Sequence, residues 1–559
     1  MINTSQFTVH SSFFRNCLLV LAAGALVVSC ASYDETDNFW AEIDPDYDEP
    51  YKHLAPVKTY IDRAKYPNLT LGATLKATDF NKQALAHAAA ITNFDDVTFG
   101  STLMSGAIIN ERGVMNFLDM KDLLDHVQEI GGKVYGSPIV ANASQADGWM
   151  NLLTAPIEIP VDPILDKTVD YTTMETFTGT GKASIEKKYD GNNNALKIPK
   201  RGKVRIVEGF DVDPLGEYTI TINAKVDKDE SIICTFADNK IREKGADKKY
   251  IIKAGKWQKV VIEKVRAAEG ATEGYLLVEG NLNSILYIKD VTVIHVPDNH
   301  RPQTEQEKKD TIVYALNAWS DGLMKINLGR IQSFDLIDEA IDSKAELDNG
   351  MYDLKHSTTS IFWQDVLGSE NYAPVVAKVA REAYERHEGD PSALKFFISE
   401  TGLEEQKKFE SLMYWVKIWD ANGAKIDGIN AKLTLSYSED PAVQSANVAS
   451  YNNLLENLAS TGKLVRVSNF DIRYQDAEGS FVTADKITGE QRQNLADFYA
   501  LAIKSYLNKI PVDKQAGICK GNMSDSSSDP VGLWLVDKDS KDWVRTATYK
   551  AFCDALSGK

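Results

Sequence analysis

The pattern of apolar and polar positions changes twice along this chain, and the changes mark out its parts. Up to residue 155, strand-like and helix-like stretches take turns. Residues 69–73, 94–98 and 133–140 are short apolar runs that read as strands. Residues 79–91 and 117–130 carry apolar side chains at helical spacing, and Gly131-Gly132 ends the second stretch. Strand–helix–strand repetition predicts a parallel sheet covered by helices. From about Pro156 to Val296 the period becomes two. Residues 218–226, 250–252, 260–262 and 287–293 alternate or are β-branched, with Gly and Asp in the turns and no helical stretch between. This predicts a β-sandwich inserted into a surface loop, where the parent core is undisturbed. From Thr304 the first rhythm resumes. Helices are expected over 305–326, 372–386, 405–421, 442–459, 488–507 and 546–556. Strands are expected over 331–341, 394–398, 427–435, 464–472 and 516–519. Both sides of the insert together supply eight strands, and the split segment has the size of a (β/α)8 barrel.

In a parallel barrel the chemistry sits at the C-terminal strand ends. The 464–472 strand ends in Asn469 and Asp471, two residues apart, which puts both side chains on the same face. The 331–341 strand carries Glu339 near its end. Glu400 and Asp525 fall near other strand ends and are weaker candidates.

The chain has 559 residues and a formal net charge of −18, which argues against nucleic acid or an anionic membrane face as partner and leaves a neutral glycan compatible. Of the five cysteines, two lie in the leader and three are far apart; the eight histidines show no ligand spacing. Neither a disulfide framework, a metal nor a cofactor is expected. Arg15 precedes an apolar run over 18–28 that has the length of a signal-peptide core. The run leads to Ser29-Cys30, which resembles a bacterial lipobox with Cys30 as the lipidated residue. Asp34, Glu35 and Asp37 resemble the export tag of surface lipoproteins in the Bacteroides group. The expected organisation is a leader over 1–29, an acidic tether over 30–56, barrel over 57–154 and 300–559, and the sandwich over 155–299.

Phe334-Asp335-Leu336-Ile337-Asp338-Glu339-Ala340 resembles the acid/base strand of glycoside hydrolase family 10, the endo-β-1,4-xylanases, whose pattern is Trp-Asp-Val-Val-Asn-Glu-Ala. Arg466-Val467-Ser468-Asn469-Phe470-Asp471-Ile472 resembles the nucleophile strand, Thr-Glu-Leu-Asp-Ile, and Asp427-Gly428-Ile429 resembles the block before it. The insert resembles a jelly-roll carbohydrate-binding module. The resemblance implies a TIM barrel interrupted after its third strand. It places Glu339 at the acid/base position and Asn469 at the nucleophile position. A retaining glycosidase needs two carboxylates about 5–5.5 Å apart, and an amide is a poor nucleophile. Other blocks of the −1 sugar subsite also depart. Thr98-Phe99-Gly100-Ser101 replaces Thr-x-Glu-Asn. Gly136-Ser137-Pro138-Ile139-Val140-Ala141-Asn142 replaces a block with two His and a Trp. Lys432-Leu433-Thr434 replaces Gln-Ser-His, and Gly521-Asn522 replaces Trp-Gly.

Three functions follow as alternatives. The first is a surface lipoprotein that binds xylan or a related β-glycan without cutting it. The second is an active hydrolase with Glu339 as acid/base and Asp471 as substitute nucleophile. The third is a structural partner in a glycan-uptake transporter complex at the outer membrane. Trp257, Tyr171 and Tyr218 are candidate sugar platforms in the insert, each with sandwich core as the competing role. Asp338 and Asn142 are candidate polar contacts in the barrel. Trp149, Trp363, Trp534 and Trp543 are candidate groove aromatics.

Overall fold

The computed structural model describes residues 40–41, 49–81, 85–279 and 283–559; the leader with Cys30 lies outside them. The chain divides into two compact units, one formed by Met1–Thr154 with Glu305–Lys559, the other by Ala155–Thr304.

The first unit is a parallel sheet curled into a barrel. Its strands are β1 (Thr70–Thr74), β2 (Asp96–Thr98), β3 (Lys133–Val134), β4 (Val140–Ala141), β5 (Ser333–Asp338), β6 (Lys395–Thr401), β7 (Gly428–Ser438), β8 (Leu464–Gln475) and β9 (Gln515–Lys520). They follow the order β3-β2-β1-β9-β8-β7-β6-β5-β4. β3 and β4 are the two halves of one broken strand: β3 pairs with β2, β4 pairs with β5, and Gly136 bridges Phe334 between them, closing the ring. Residues 133–140, expected as one strand, break because the 135–139 stretch contains Gly136 and Pro138, and proline cannot donate to a ladder.

A helix follows every strand of the ring: α1 (Leu85–Asn93), α2 (Leu118–Glu129), α3 (Glu305–Asn327), α4 (Tyr372–Arg386), α5 (Gln406–Ala421), α6 (Pro441–Ser460), α7 (Gly489–Lys509) and α8 (Ala547–Leu556). The caps account for several starts. Asp440 accepts from the N–H groups of Ala442 and Val443, with Pro441 in the first turn of α6. Thr488 and Gln491 form a capping box at α7. Apolar side chains from strands and helices form one core, with Leu336, Phe396, Ile429 and Val467 all buried.

The interior of the ring holds an ion pair as well. Arg466 is 2% exposed and donates to Asp96 from Nη2 at 2.8 Å and Nη1 at 3.2 Å. A Cβ on Gly72 would lie 2.8 Å from Nη2, and one on Gly517 would lie 2.8 Å from Nη1. Two neighbouring strands thus omit side chains where the guanidinium crosses.

Three elements depart from expectation. A hairpin, Ile341–Glu346 with Tyr352–Leu354, follows β5 where strand was expected to run on to 341. Trp534–Asp537 pairs with Trp543–Arg545 and with Trp40–Ala41. Part of the expected tether is therefore held. The Arg545 N–H donates to Glu49, and its guanidinium to the carbonyls of Tyr51, Lys52 and Leu54.

The second unit is two antiparallel sheets over one apolar core. Gln258–Val265, Glu217–Val226, Leu286–Val296, Asn193–Ile198 and Ser184–Asp190 lie in that order in one sheet, with Ile164–Asp170 paired to Leu286–Val296. Val204–Asp211, Glu273–Glu279, Glu230–Phe236 and Asn239–Lys240 form the other, with Lys249–Ile252 paired to Glu230–Phe236. Ile220, Ile222, Leu276 and Ile288 are fully buried between them.

Candidate active site

Residues within β7 and β8 and at the ends of β4 and β5 surround a cleft of about 390 Å³ whose lining includes Asn142, Asp338, Glu339, Lys432 and Asn469. Glu339 follows β5 with a left-handed backbone, φ 46°, and its N–H donates to the Ser399 carbonyl at 2.9 Å. Asn469 sits within β8 with φ 49°. Left-handed backbone costs a side-chain-bearing residue about 1–2 kcal/mol, and asparagine tolerates it best. Asn469 coincides with a break in register, whereas Glu339 lies just past the end of β5. Between β7 and β8, Lys432 faces Ser468 and Thr434 faces Asp471, so β8 holds an extra residue at 469–470. Between β5 and β6 the register shifts between Asp335 and Ile337. Bulges of this kind re-aim side chains at barrel rims.

The bulge corrects the expectation that Asn469 and Asp471 share one face. Asn469 lines the cleft, whereas Asp471 is not among its lining residues. Asp471 is 6% exposed, is paired with the Lys520 ammonium, and accepts from the Asn522 side chain at 2.7 Å and the Asn522 N–H at 3.2 Å. A carboxylate held this way is a poor substitute nucleophile.

Lys432 dominates the electrostatics of the cleft. Its side chain is 4% exposed, and Nζ lies 2.6 Å from Asp338 Oδ1 and 3.0 Å from Glu339 Oε1. Asp338 also accepts from Ser399 Oγ at 2.7 Å. Burial pushes the Glu339 carboxyl up. The Lys432 charge and hydrogen bond, with smaller contributions from Lys355 and Lys408, outweigh that and hold it below the usual glutamate value. A general acid needs the opposite, a raised carboxyl that keeps its proton. Beneath the cleft, Asp335 accepts from Tyr135 Oη at 2.7 Å and from Asn430 Nδ2 at 3.1 Å. Burial, reinforced by the nearby Asp338 charge, raises it to about 6.

Asn142 also lines the cleft, and neither its Oδ1 nor its Nδ2 has a hydrogen-bond partner although both atoms are buried. An amide with a free donor and a free acceptor suits a sugar hydroxyl, and a buried pair left unmet would cost free energy.

The other candidates are structural. Glu400 is 1% exposed, pairs with Lys408 at 2.9 Å and accepts from the Ile341 N–H at 3.1 Å. Asp525 binds Arg492 at 2.7 Å and the Gly532 N–H at 2.8 Å. Tyr171 and Tyr218 are buried and offer no sugar platform: Tyr171 Oη donates to the Ile206 carbonyl and Tyr218 stacks in the core against His295. Tyr218 faces inward because its alternating strand turns every second side chain to the core, and Tyr171 lies just past the end of the Ile164–Asp170 strand. Trp257 is partly exposed, but Lys289 lies over its ring at 4.6 Å, Tyr189 meets it edge-on, and its Nε1 donates to Asp190. Trp149, Trp363 and Trp534 are buried. No group of His, Cys, Asp or Glu with metal-site geometry occurs among the described residues.

Lys432, Lys355 and Phe362 are among the cleft residues not named from the sequence as candidate contacts, although Lys432 stands in one of the departing −1 subsite blocks. Lys432 had a signal: in 428–435 the polar Asn430, Lys432 and Thr434 alternate with apolar residues, so a lysine stands on the ring-facing side of a buried strand. Lys355 and Phe362 come from irregular chain after the unexpected hairpin, and no local pattern marks them.

Residues 296–543 match the family model of glycosyl hydrolase family 10. The endo-β-1,4-xylanase Xyn10C of Cellvibrio japonicus is 22% identical over 209 residues, covering 37% of this chain and 32% of that protein. The chain therefore spans about a third of that relative's length. Among solved structures, xylanase B from Clostridium stercorarium F9 matches with TM-score 0.51 and 11% identity, covering 90% of this chain and 100% of that one. Native xylanase 10C from Cellvibrio japonicus matches with TM-score 0.50 and 14% identity, covering 90% and 74%. These likenesses establish the fold, a (β/α)8 barrel.

Proposed function

We propose, from the match of residues 296–543 to the family model of glycosyl hydrolase family 10, that the barrel binds a xylan-like β-glycan in the cleft around Glu339 and does not hydrolyse it. The observation that carries the reading is Lys432. Its ammonium ties up both Asp338 and Glu339, so the acid/base position holds a paired, ionised carboxylate. On the other strand the nucleophile position holds the neutral amide of Asn469. Retaining hydrolysis needs a protonated acid and a free nucleophile together, and neither role is filled. The unmet amide of Asn142 and the partly exposed ring of Phe362 supply the polar and apolar contacts that glycan binding uses. The two-sheet insert is read as a carbohydrate-binding module of jelly-roll type. Arg15, the apolar run over 18–28 and Cys30 support export and lipid anchoring at the cell surface.

The buried pairing of Asp471 with Lys520 weighs against the hydrolase alternative. In affinity electrophoresis, xylan in the gel should retard the protein, while incubation with xylan releases no reducing ends. Asn469→Glu alone should stay inactive, because Lys432 still holds Glu339 ionised. Reducing ends released by the wild-type chain and lost in Glu339→Gln would overturn the reading.

A further inference from the structure

The end of the ring opposite the Glu339 cleft is hollow too. Lys133 opens β3, Ser333 opens β5 and Lys395 opens β6, on neighbouring strands. Side chains two residues apart on a strand share a face. Two residues on from these three stand Tyr135, Asp335 and Phe397, which meet inside the ring: Tyr135 Oη donates to Asp335 at 2.7 Å, and the Tyr135 and Phe397 rings lie 5.8 Å apart. Lys133, Ser333 and Lys395 therefore form the layer below, at the N-terminal mouth. They line two cavities there, of about 350 and 530 Å³, whose walls also share Asn68 and Gln332.

The charge at this mouth runs opposite to that of the Glu339 cleft, where two carboxylates share one close ammonium. Two carboxylates line the cavities, and each is taken by an arginine of the same wall: Asp95 by Arg63 at 2.8 Å, Asp96 by Arg466 at 2.8 Å. Four more cations remain. Arg330 pairs with Asp125, which also holds Lys121 at 2.6 Å. Lys395 lies 3.5 Å from Asp427, which also lies 3.8 Å from Arg381. Each of these carboxylates is thus divided between two cations. Lys58 Nζ donates to the Ile91 and Phe94 carbonyls, and neither Lys58 nor Lys133 makes an ion pair among the described residues. The mouth keeps a positive surplus in a chain of net charge −18. Exposed charges farther off than about 10 Å are largely screened at ordinary ionic strength, so the local surplus decides. On the inner wall, Arg466 is 2% exposed and its Nε has no acceptor, which leaves one buried donor unmet beside the cavity.

We propose that the N-terminal mouth is a further binding site, for a small doubly charged oxyanion of the phosphate class, held between the Lys133 and Lys395 ammoniums. Lysine meets such an anion as a point charge, and Asn68, Gln332 and Ser333 add neutral donors. Free phosphate and the phosphate group of a monoester share this chemistry. The inference stands apart from the glycan-binding reading, because the two sites lie at opposite ends of the strands.

Broadening of the phosphorus-31 resonance by the full chain tests this with two probes, inorganic phosphate and glucose 6-phosphate, at low salt and about pH 8, where both are doubly charged. At least one probe should bind saturably, and about 0.5 M NaCl should weaken it. Lys133→Gln removes no ion pair and should weaken binding about three- to fivefold; Lys133→Arg should keep it. Lys133→Gln combined with Lys395→Gln should abolish it. Tighter binding of the ester assigns the site to a monoester, and tighter binding of inorganic phosphate assigns it to the free ion. Absence of saturable binding with both probes, or binding that survives in the double variant, overturns the site.

Discussion

At the mouth of the barrel, Asp338 and Glu339 share one close ammonium, that of Lys432, while Asp335 lies below them without a cation in hydrogen-bond contact. The two levels respond to pH in opposite senses. Glu339 is held below its usual value, so the stability it contributes is present at neutral pH and is lost as pH falls through its folded value. Asp335 is raised to about 6 by burial and by Asp338. Its folded state holds the proton more tightly than the unfolded state. The stability from this group is therefore present below the unfolded value near 4 and lost as pH rises to about 6. The stability of the wild-type chain relative to Asp335→Asn should fall by about 3 kcal/mol over that window and then level off, as read from urea unfolding of both chains at pH 4 to 7. A difference that is flat or rises with pH would contradict the burial argument. At this scale the sequence marked Glu339 and Asn469 through the strands that carry them. It did not mark Lys432 as their partner, because the contact joins β5 to β7, 93 residues apart.

The elements that place these residues were legible through their periodicity, and their irregularities were not. Residues 372–386 were read as a helix and are one, since the apolar positions recur with a helical period and bury Val376, Ala377, Ala380 and Tyr384. In β8 an alternating pattern hides the bulge: nothing in Ser468-Asn469-Phe470-Asp471 distinguishes an even pleat from one with an extra residue. The bulge appears only against the register of β7. Its backbone makes a prediction about Asn469. With φ at 49°, Asn469→Val should cost about 1–2 kcal/mol in thermal or urea unfolding, and Asn469→Gly should cost little or stabilise. Equal stability of the Val and Gly variants would mean that the left-handed bulge is not kept. Gly521 constrains the same turn, since a Cβ there would lie 2.5 Å from Asp471 Oδ2 and 3.2 Å from the Asn469 Cα.

For the whole molecule, each unit has an apolar core of its own, and the chain enters and leaves the second unit at Ala155 and Thr304. A segment with its own core can fold alone. Residues 155–304 expressed by themselves should give a β-type circular dichroism spectrum and one cooperative unfolding transition; a disordered product would refute the independence of that core.

What the sequence by itself determined is the alternation of strand and helix, the interruption by a segment of period two, and the strand ends on which a site could lie. These follow from where apolar side chains recur, a property local to each stretch. Tertiary structure alone decided that Lys432 reaches Asp338 and Glu339, that Asp471 is taken by Lys520, and that Tyr171 and Tyr218 are core. Each of these depends on which strands become neighbours and in what register. That is set by closure of the ring and packing of the sheets, over separations no local pattern spans.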